Sequence, residues 1–145
     1  LLIGAMTIGP KVDQKIESTQ EEGDLMGGVV YDVLGSWAIS HYLSLFEKEM
    51  TKELAKDGKH RSICITPGSI DWPIEDQTYV FELVNPGEIG MKLTSSMLMV
   101  PTKSLSFIYG VSKEPFGFED KTKCDYCPRK ESCRYRKNSP LKTPY

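Results

Sequence analysis

The chain has 145 residues, of which 39% are apolar and 26% charged, with a formal net charge of −2. That is the composition of one globular domain with a single core, neither disordered nor fibrous, and no apolar run approaches the ~20 residues needed to span a bilayer. The charge is uneven: residues 1–120 carry 10 Lys/Arg against 18 Asp/Glu, and residues 121–145 carry 8 against 2. An acidic body repels phosphate, so the basic tail is read as neutralising that body or an acidic partner, not as a nucleic-acid arm.

Residues 1–8, LLIGAMTI, read as a buried strand; they are too short and lack the basic flank of a signal peptide. Beginning on an apolar residue other than Met, the sequence is expected to be an excised domain or one lacking its front end. Gly9-Pro10 turns the chain into a helix with Val12 and Ile16 on one face, and Gly23-Asp24 ends that helix and caps the next. From Asp24 to Asp57 apolar residues recur at Leu25, Val29, Val33, Trp37, Leu45, Met50 and Leu54, with Gly58 as the C-terminal stop. Glycines at 27, 28 and 35 leave open one helix or two broken near Gly35, and suggest close approach by a neighbour. Lys48, Lys52 and Lys56 form a solvated row, and Glu47, Glu49 and Glu53 read as exposed helix carboxylates.

Beyond His60 the pattern becomes strand-like. Ile63-Cys64-Ile65 is a short β run, Thr66 to Ser69 a loop, and Asp71 caps a helix running from Trp72-Pro73 to about Val84, broken at Asn85-Pro86-Gly87. Residues 91–99 and 104–111 read as two strands joined through Val100-Pro101-Thr102-Lys103 as a hairpin or near-hairpin, with Met91, Met97 and Met99 alternating at strand period as core or sheet-face residues. Trp72 is read as a hydrophobic cap, with an exposed docking anchor as the alternative. The expected fold is α+β: a twisted antiparallel or mixed sheet with flanking helices over residues 1–113, and an extended, basic, cysteine-containing tail over 114–145 that folds back on it.

Two stretches carry a family resemblance. T-P-G-S at 66–69 with D-W-P at 71–73, and the run from Phe81 to Gly110 containing I-G-M-K-L-T-S-S, resemble the activation domain of cobalamin (vitamin B12)-dependent methionine synthase. Y-D-V-L-G-S-W-A at 31–38 resembles a helix of its free-standing bacterial relatives, so the similarity spans about residues 5–112. The resemblance implies a cytoplasmic accessory domain for reductive activation of a corrinoid methyltransferase. Such a domain docks on the partner that carries cobalamin, admits an electron from a flavodoxin- or ferredoxin-type donor, and presents S-adenosylmethionine to trap Co(I). It also implies ligand contacts at Pro67, Gly68, Ser69 and Tyr109. The sequence departs from that pattern at the ligand's carboxylate partner: Cys64 stands where the family has Arg, Ser69 where it has Tyr, and Arg61 lies three residues early.

The four cysteines suggest a second chemistry. Cys124, Cys127 and Cys133 lie within ten residues, with Cys64 as the remaining thiol, and a C-x2-C pair can grip an ion from one tight turn. Four thiolates suit an iron–sulfur cluster serving as an electron relay, or a structural zinc site; two disulfides or free thiols stay open as well. His41 and His60 are possible substitute zinc ligands, though each is also an ordinary surface or core histidine. The competing functional reading is a non-catalytic binding module with a zinc-stapled tail, or a true S-adenosylmethionine-binding domain.

Overall fold

The computed structural model describes residues 1–69, 72–117 and 123–133. Strand β1 (Leu2–Thr7) leads through Gly9-Pro10 into α1 (Lys11–Glu21) and the long α2 (Leu25–Lys56). A two-residue strand β2 (His60–Arg61), α3 (Gln77–Val84), the short β3 (Lys92–Leu93) and β4 (Met99–Val100), then β5 (Ser104–Tyr109) and β6 (Val111–Ser112) follow. Three two-stranded antiparallel pairs result: β1 with β5, β2 with β6, and β3 with β4. The chain is thus α+β with antiparallel pairing and flanking helices, as expected from its pattern.

Asp24 starts α2 by accepting the Gly27 N–H at 2.8 Å, which satisfies one of the otherwise unpaired first-turn donors. The helix then runs unbroken for 32 residues. Gly35 does not break it; it makes room. A Cβ at that position would stand 2.9 Å from Val12 of α1 and 3.0 Å from the Lys103 side chain. Lys103 itself is buried, and its ammonium donates to Asp32 Oδ1 at 2.6 Å and Ser36 Oγ at 3.0 Å. A charged group taken from water has to be paired in this way, so the glycine, the lysine and the aspartate form one packing unit.

Helix α1 turns Val12 and Thr19 toward α2, and Asp13 reaches the loop before β5, accepting from Thr102 N at 2.7 Å and Thr102 Oγ1 at 2.6 Å. Ser104 closes the same loop by donating to the Pro101 carbonyl at 2.6 Å, and the Val100–Pro101 peptide is cis. These contacts redirect the segment. The hairpin expected between 91–99 and 104–111 does not form. Residues 92–100 instead make their own small hairpin around a turn at Thr94–Leu98, with Met97 at φ +63°, while β5 pairs with β1. Of the three methionines, Met97 lies in this turn and not on a strand, whereas Met91 is buried in the core and Met99 accepts a long contact from buried Gln77 Nε2 at 3.9 Å.

The core lies between α2 and β5, where Met6, Ile39, Met50, Cys64, Phe107 and Tyr109 pack together. Phe107 is stacked obliquely on Phe46 and Tyr109, with centroids 5.1 and 5.7 Å away. Gly4 sits across from Phe107 in the β1–β5 register, and an added Cβ would stand 2.5 Å from the ring. Gly4→Ala should therefore lower unfolding free energy by about 1–3 kcal/mol, as overpacking does against a buried aromatic ring. Urea denaturation measures this; an unchanged midpoint would mean the ring is free to move.

The Asp71 cap lies outside the described residues. The helix it was to open begins later, as a 3-10 turn over Ile74–Asp76 that continues into α3, with Pro73 at its N-terminal boundary. Trp72 is half-buried and its indole N–H donates to Asp76 Oδ2 at 2.7 Å, so it fastens this turn. No helix among the described residues is long and apolar enough to cross a membrane.

Candidate functional site around Glu47, Arg61, Cys64 and Tyr109

The segment 61–65 runs alongside β5, joined by reciprocal Ile65–Ile108 backbone bonds of 3.0 and 2.9 Å and by Ser62 N to Gly110 O at 2.9 Å. Strand geometry sends alternate side chains to opposite faces. Ser62 and Cys64 are buried by it, whereas Arg61, Ile63 and Ile65 are only partly covered. Cys64 thus enters the core, 2% exposed, against Tyr109 of β5.

Tyr109 is wholly enclosed. Its hydroxyl donates to Glu47 Oε1 at 2.8 Å. Burial, then the adjoining Cys64 thiol and the Glu47 carboxylate, push the phenol far above its ordinary range. Arg61 closes the group from the solvent side. Its guanidinium lies 5.6 Å from the Tyr109 ring centroid and 3.8 Å from Glu47 Oε1, and it donates to Thr51 Oγ1 at 2.8 Å and to the Ser62 carbonyl at 3.1 Å. One carboxylate therefore engages both the tyrosine and the arginine.

Glu47 corrects the sequence reading, which grouped it with exposed helix carboxylates. Glu49 and Glu53 are such groups, paired with Lys52 and Lys56 at 2.6 Å on the surface. Glu47 follows the core residue Phe46 and precedes buried Met50 by three positions, so it lies on the flank of the apolar stripe, within reach of β5. That position relative to Leu43, Phe46 and Met50 is the signal that distinguishes it.

The other expected contact residues form a separate turn. Pro67 is buried, Gly68 has φ +82° and donates its N–H to the Trp72 carbonyl at 2.9 Å, and Ser69 Oγ donates to the Thr66 carbonyl at 2.6 Å. The hydroxyl of Ser69 is thereby engaged in closing its own loop.

The four cysteines are free. Cys124 and Cys127 share a tight turn in which Cys127 N donates to the Cys124 carbonyl at 3.4 Å, and Cys133 follows after a second turn. All three are half-buried, while Cys64 belongs to the core. Among the described residues no three His, Cys, Asp or Glu side chains come together in a way that could hold a metal ion. Of the substitute ligands, His41 is stacked on Trp37, ring centroids 5.1 Å apart, and His60 lies on β2.

No protein-family model matches the chain, and no curated protein matches it.

Proposed function

We propose that this chain is an accessory docking domain for the reductive activation of a corrinoid methyltransferase, acting by contact with the cobalamin-bearing partner and not by presenting S-adenosylmethionine. The resemblance over Phe81–Gly110 supplies the corrinoid context, and one structural observation supports the restriction to docking. In the resembling family an arginine would pair with the ligand's carboxylate and a tyrosine would stand at the ligand. Here the nearest arginine and the matching tyrosine, Arg61 and Tyr109, both face the protein's own Glu47 carboxylate. A ligand would have to displace an internal, charge-assisted hydrogen bond and open a closed core to reach Tyr109.

Residues 79–98 offer apolar side chains to solvent: Tyr79, Leu83, Ile89 and Leu98 are each more than half exposed. Large exposed apolar side chains are suited to covering a partner and excluding water from a reactive centre. On this reading the electron comes from a separate flavodoxin- or ferredoxin-type donor, and the domain contributes positioning. Four free thiols accord with a reducing, cytoplasmic setting.

Calorimetric titration tests the reading. The chain should bind a cobalamin-loaded corrinoid protein and give no saturable heat with S-adenosylmethionine. Leu83→Glu, at a position exposed in the free domain, should weaken corrinoid-protein binding at least tenfold, or about 1.4 kcal/mol. Absence of corrinoid-protein binding removes the proposal; saturable S-adenosylmethionine binding removes its restriction to docking.

A further inference from the structure

Helix α2 carries a second exposed surface on its N-terminal two thirds, distant in sequence from the docking segment. Met26, Val30, Val33 and Trp37 follow one another at spacings of four, three and four residues, the rhythm that keeps side chains on one seam of a helix. Continued by the same rhythm, the seam reaches Ser40 and Ser44. Leu34 and Leu45 flank it. These apolar residues are between 46 and 73% exposed. Apart from His41, Asp32 is the only ionisable acid or base between Leu25 and Phe46, Tyr31 and Tyr42 aside, and it is engaged by Lys103 on the opposite side of the helix. With Leu25 and Val29, the surface amounts to on the order of 600–800 Å², more than a monomer ordinarily leaves open and close to one side of a standard interface.

We infer that this seam pairs with a second copy of the chain, α2 against α2 in antiparallel orientation about a two-fold axis near position 35. The argument lies in the order of sizes. Antiparallel pairing sets Met26 opposite Ser44 of the second copy, Val30 opposite Ser40 and Val33 opposite Trp37, so each large residue meets a smaller one. Parallel pairing would set Trp37 on Trp37 and leave serine facing serine, crowding one layer and opening another. The two seam serines can enter an apolar interface without an unpaired donor, because Ser40 Oγ donates to the Ser36 carbonyl at 2.8 Å and Ser44 Oγ to the Ser40 carbonyl at 3.2 Å. Trp37 is held for contact by its parallel stacking on His41, with an interplanar angle of 5°.

Charge agrees with the same orientation. The seam is preceded by Glu21, Glu22 and Asp24 and followed by Lys48. Reversal brings the lysine of one copy to the acidic turn of the other at both ends of the interface, which favours this register and opposes the parallel one. A two-fold contact of this kind is closed, so assembly stops at the dimer. The inference stands on α2 and the turn that precedes it and is independent of the corrinoid reading.

Sedimentation equilibrium of the full chain tests it. At 10–100 µM (about the range in which a modest interface is populated) the mass should be twice the 16.3 kDa of the chain. Val33→Glu should return it to the monomer with an unchanged circular dichroism spectrum, since Val33 is 60% exposed in the single chain. Lys48→Glu should weaken the dimer several-fold, and adding Glu22→Lys should restore it, whether or not Val33→Glu folds. A monomer at the highest concentration overturns the proposal, as does a dimer indifferent to Val33→Glu. A charge exchange without restoration overturns the antiparallel register.

Discussion

In the native protein Cys64 should react with a thiol reagent at least about 10³-fold more slowly than Cys124, Cys127 and Cys133. Cys64 is 2% exposed beneath Phe107 and Tyr109, so modification has to await opening of the core, and stable domains spend roughly 10⁻³ to 10⁻⁶ of their time unfolded. The three later thiols are half-buried on short turns and need no such opening. Timed alkylation followed by peptide mass spectrometry gives the four rates separately. Comparable rates at all four positions would contradict the placement of Cys64. Equal protection of all four that disappears on adding a chelator would instead mark a shared metal, and would require Cys64 and the tail to meet.

A second large effect should appear at alkaline pH. The Tyr109 phenol is held protonated well beyond the ordinary value near 10, whereas the same residue ionises normally once the chain unfolds. The sign follows from proton binding: above pH 10 the folded state keeps a proton that the unfolded state releases, so the stabilisation is complete below about pH 10 and declines above it. One such group removes about 1.4 kcal/mol per pH unit. Tyr109→Phe should cost about 1–2 kcal/mol at pH 7, through the lost hydrogen bond to Glu47. The gap between the two proteins should then shrink steadily above pH 10 and close near about pH 10.7 to 11.5 (about one unit per 1.4 kcal/mol). Urea unfolding of both proteins from pH 7 to 11.5 measures it. A constant gap would mean that Tyr109 ionises alike in both states.

Glu47 also separates two views of the site. If the carboxylate serves only the fold, replacing it should lower stability and leave partner binding unaltered. Its placement beneath Arg61 gives that arginine an internal partner. Arg61 is anchored at four points, to Thr51, Ser62, Glu47 and the face of Tyr109. It completes the enclosure of the tyrosine.

Much of the fold was legible in residue order because local chemistry decided it. Asp24 as an N-cap, Gly58 after the long helix, the Gly9-Pro10 turn and the Asn85-Pro86 break each act within a few residues, and the helix periodicity needs no distant partner. The class, α+β with antiparallel pairing, follows from those elements and from the adjacency of the later strands. What local pattern left undecided was which surfaces meet. Whether Gly35 breaks α2 depends on Val12 and Lys103, 23 positions before it and 68 after it. The partner of β5 is β1, nearly a hundred residues away, and Asp13 of α1 fastens the loop before β5 through Thr102. Periodicity marks a side chain as inward or outward but carries no information about its neighbour, so Glu47 beside Tyr109 and Cys64 inside the core were decided only when α2, residues 61–65 and β5 packed together.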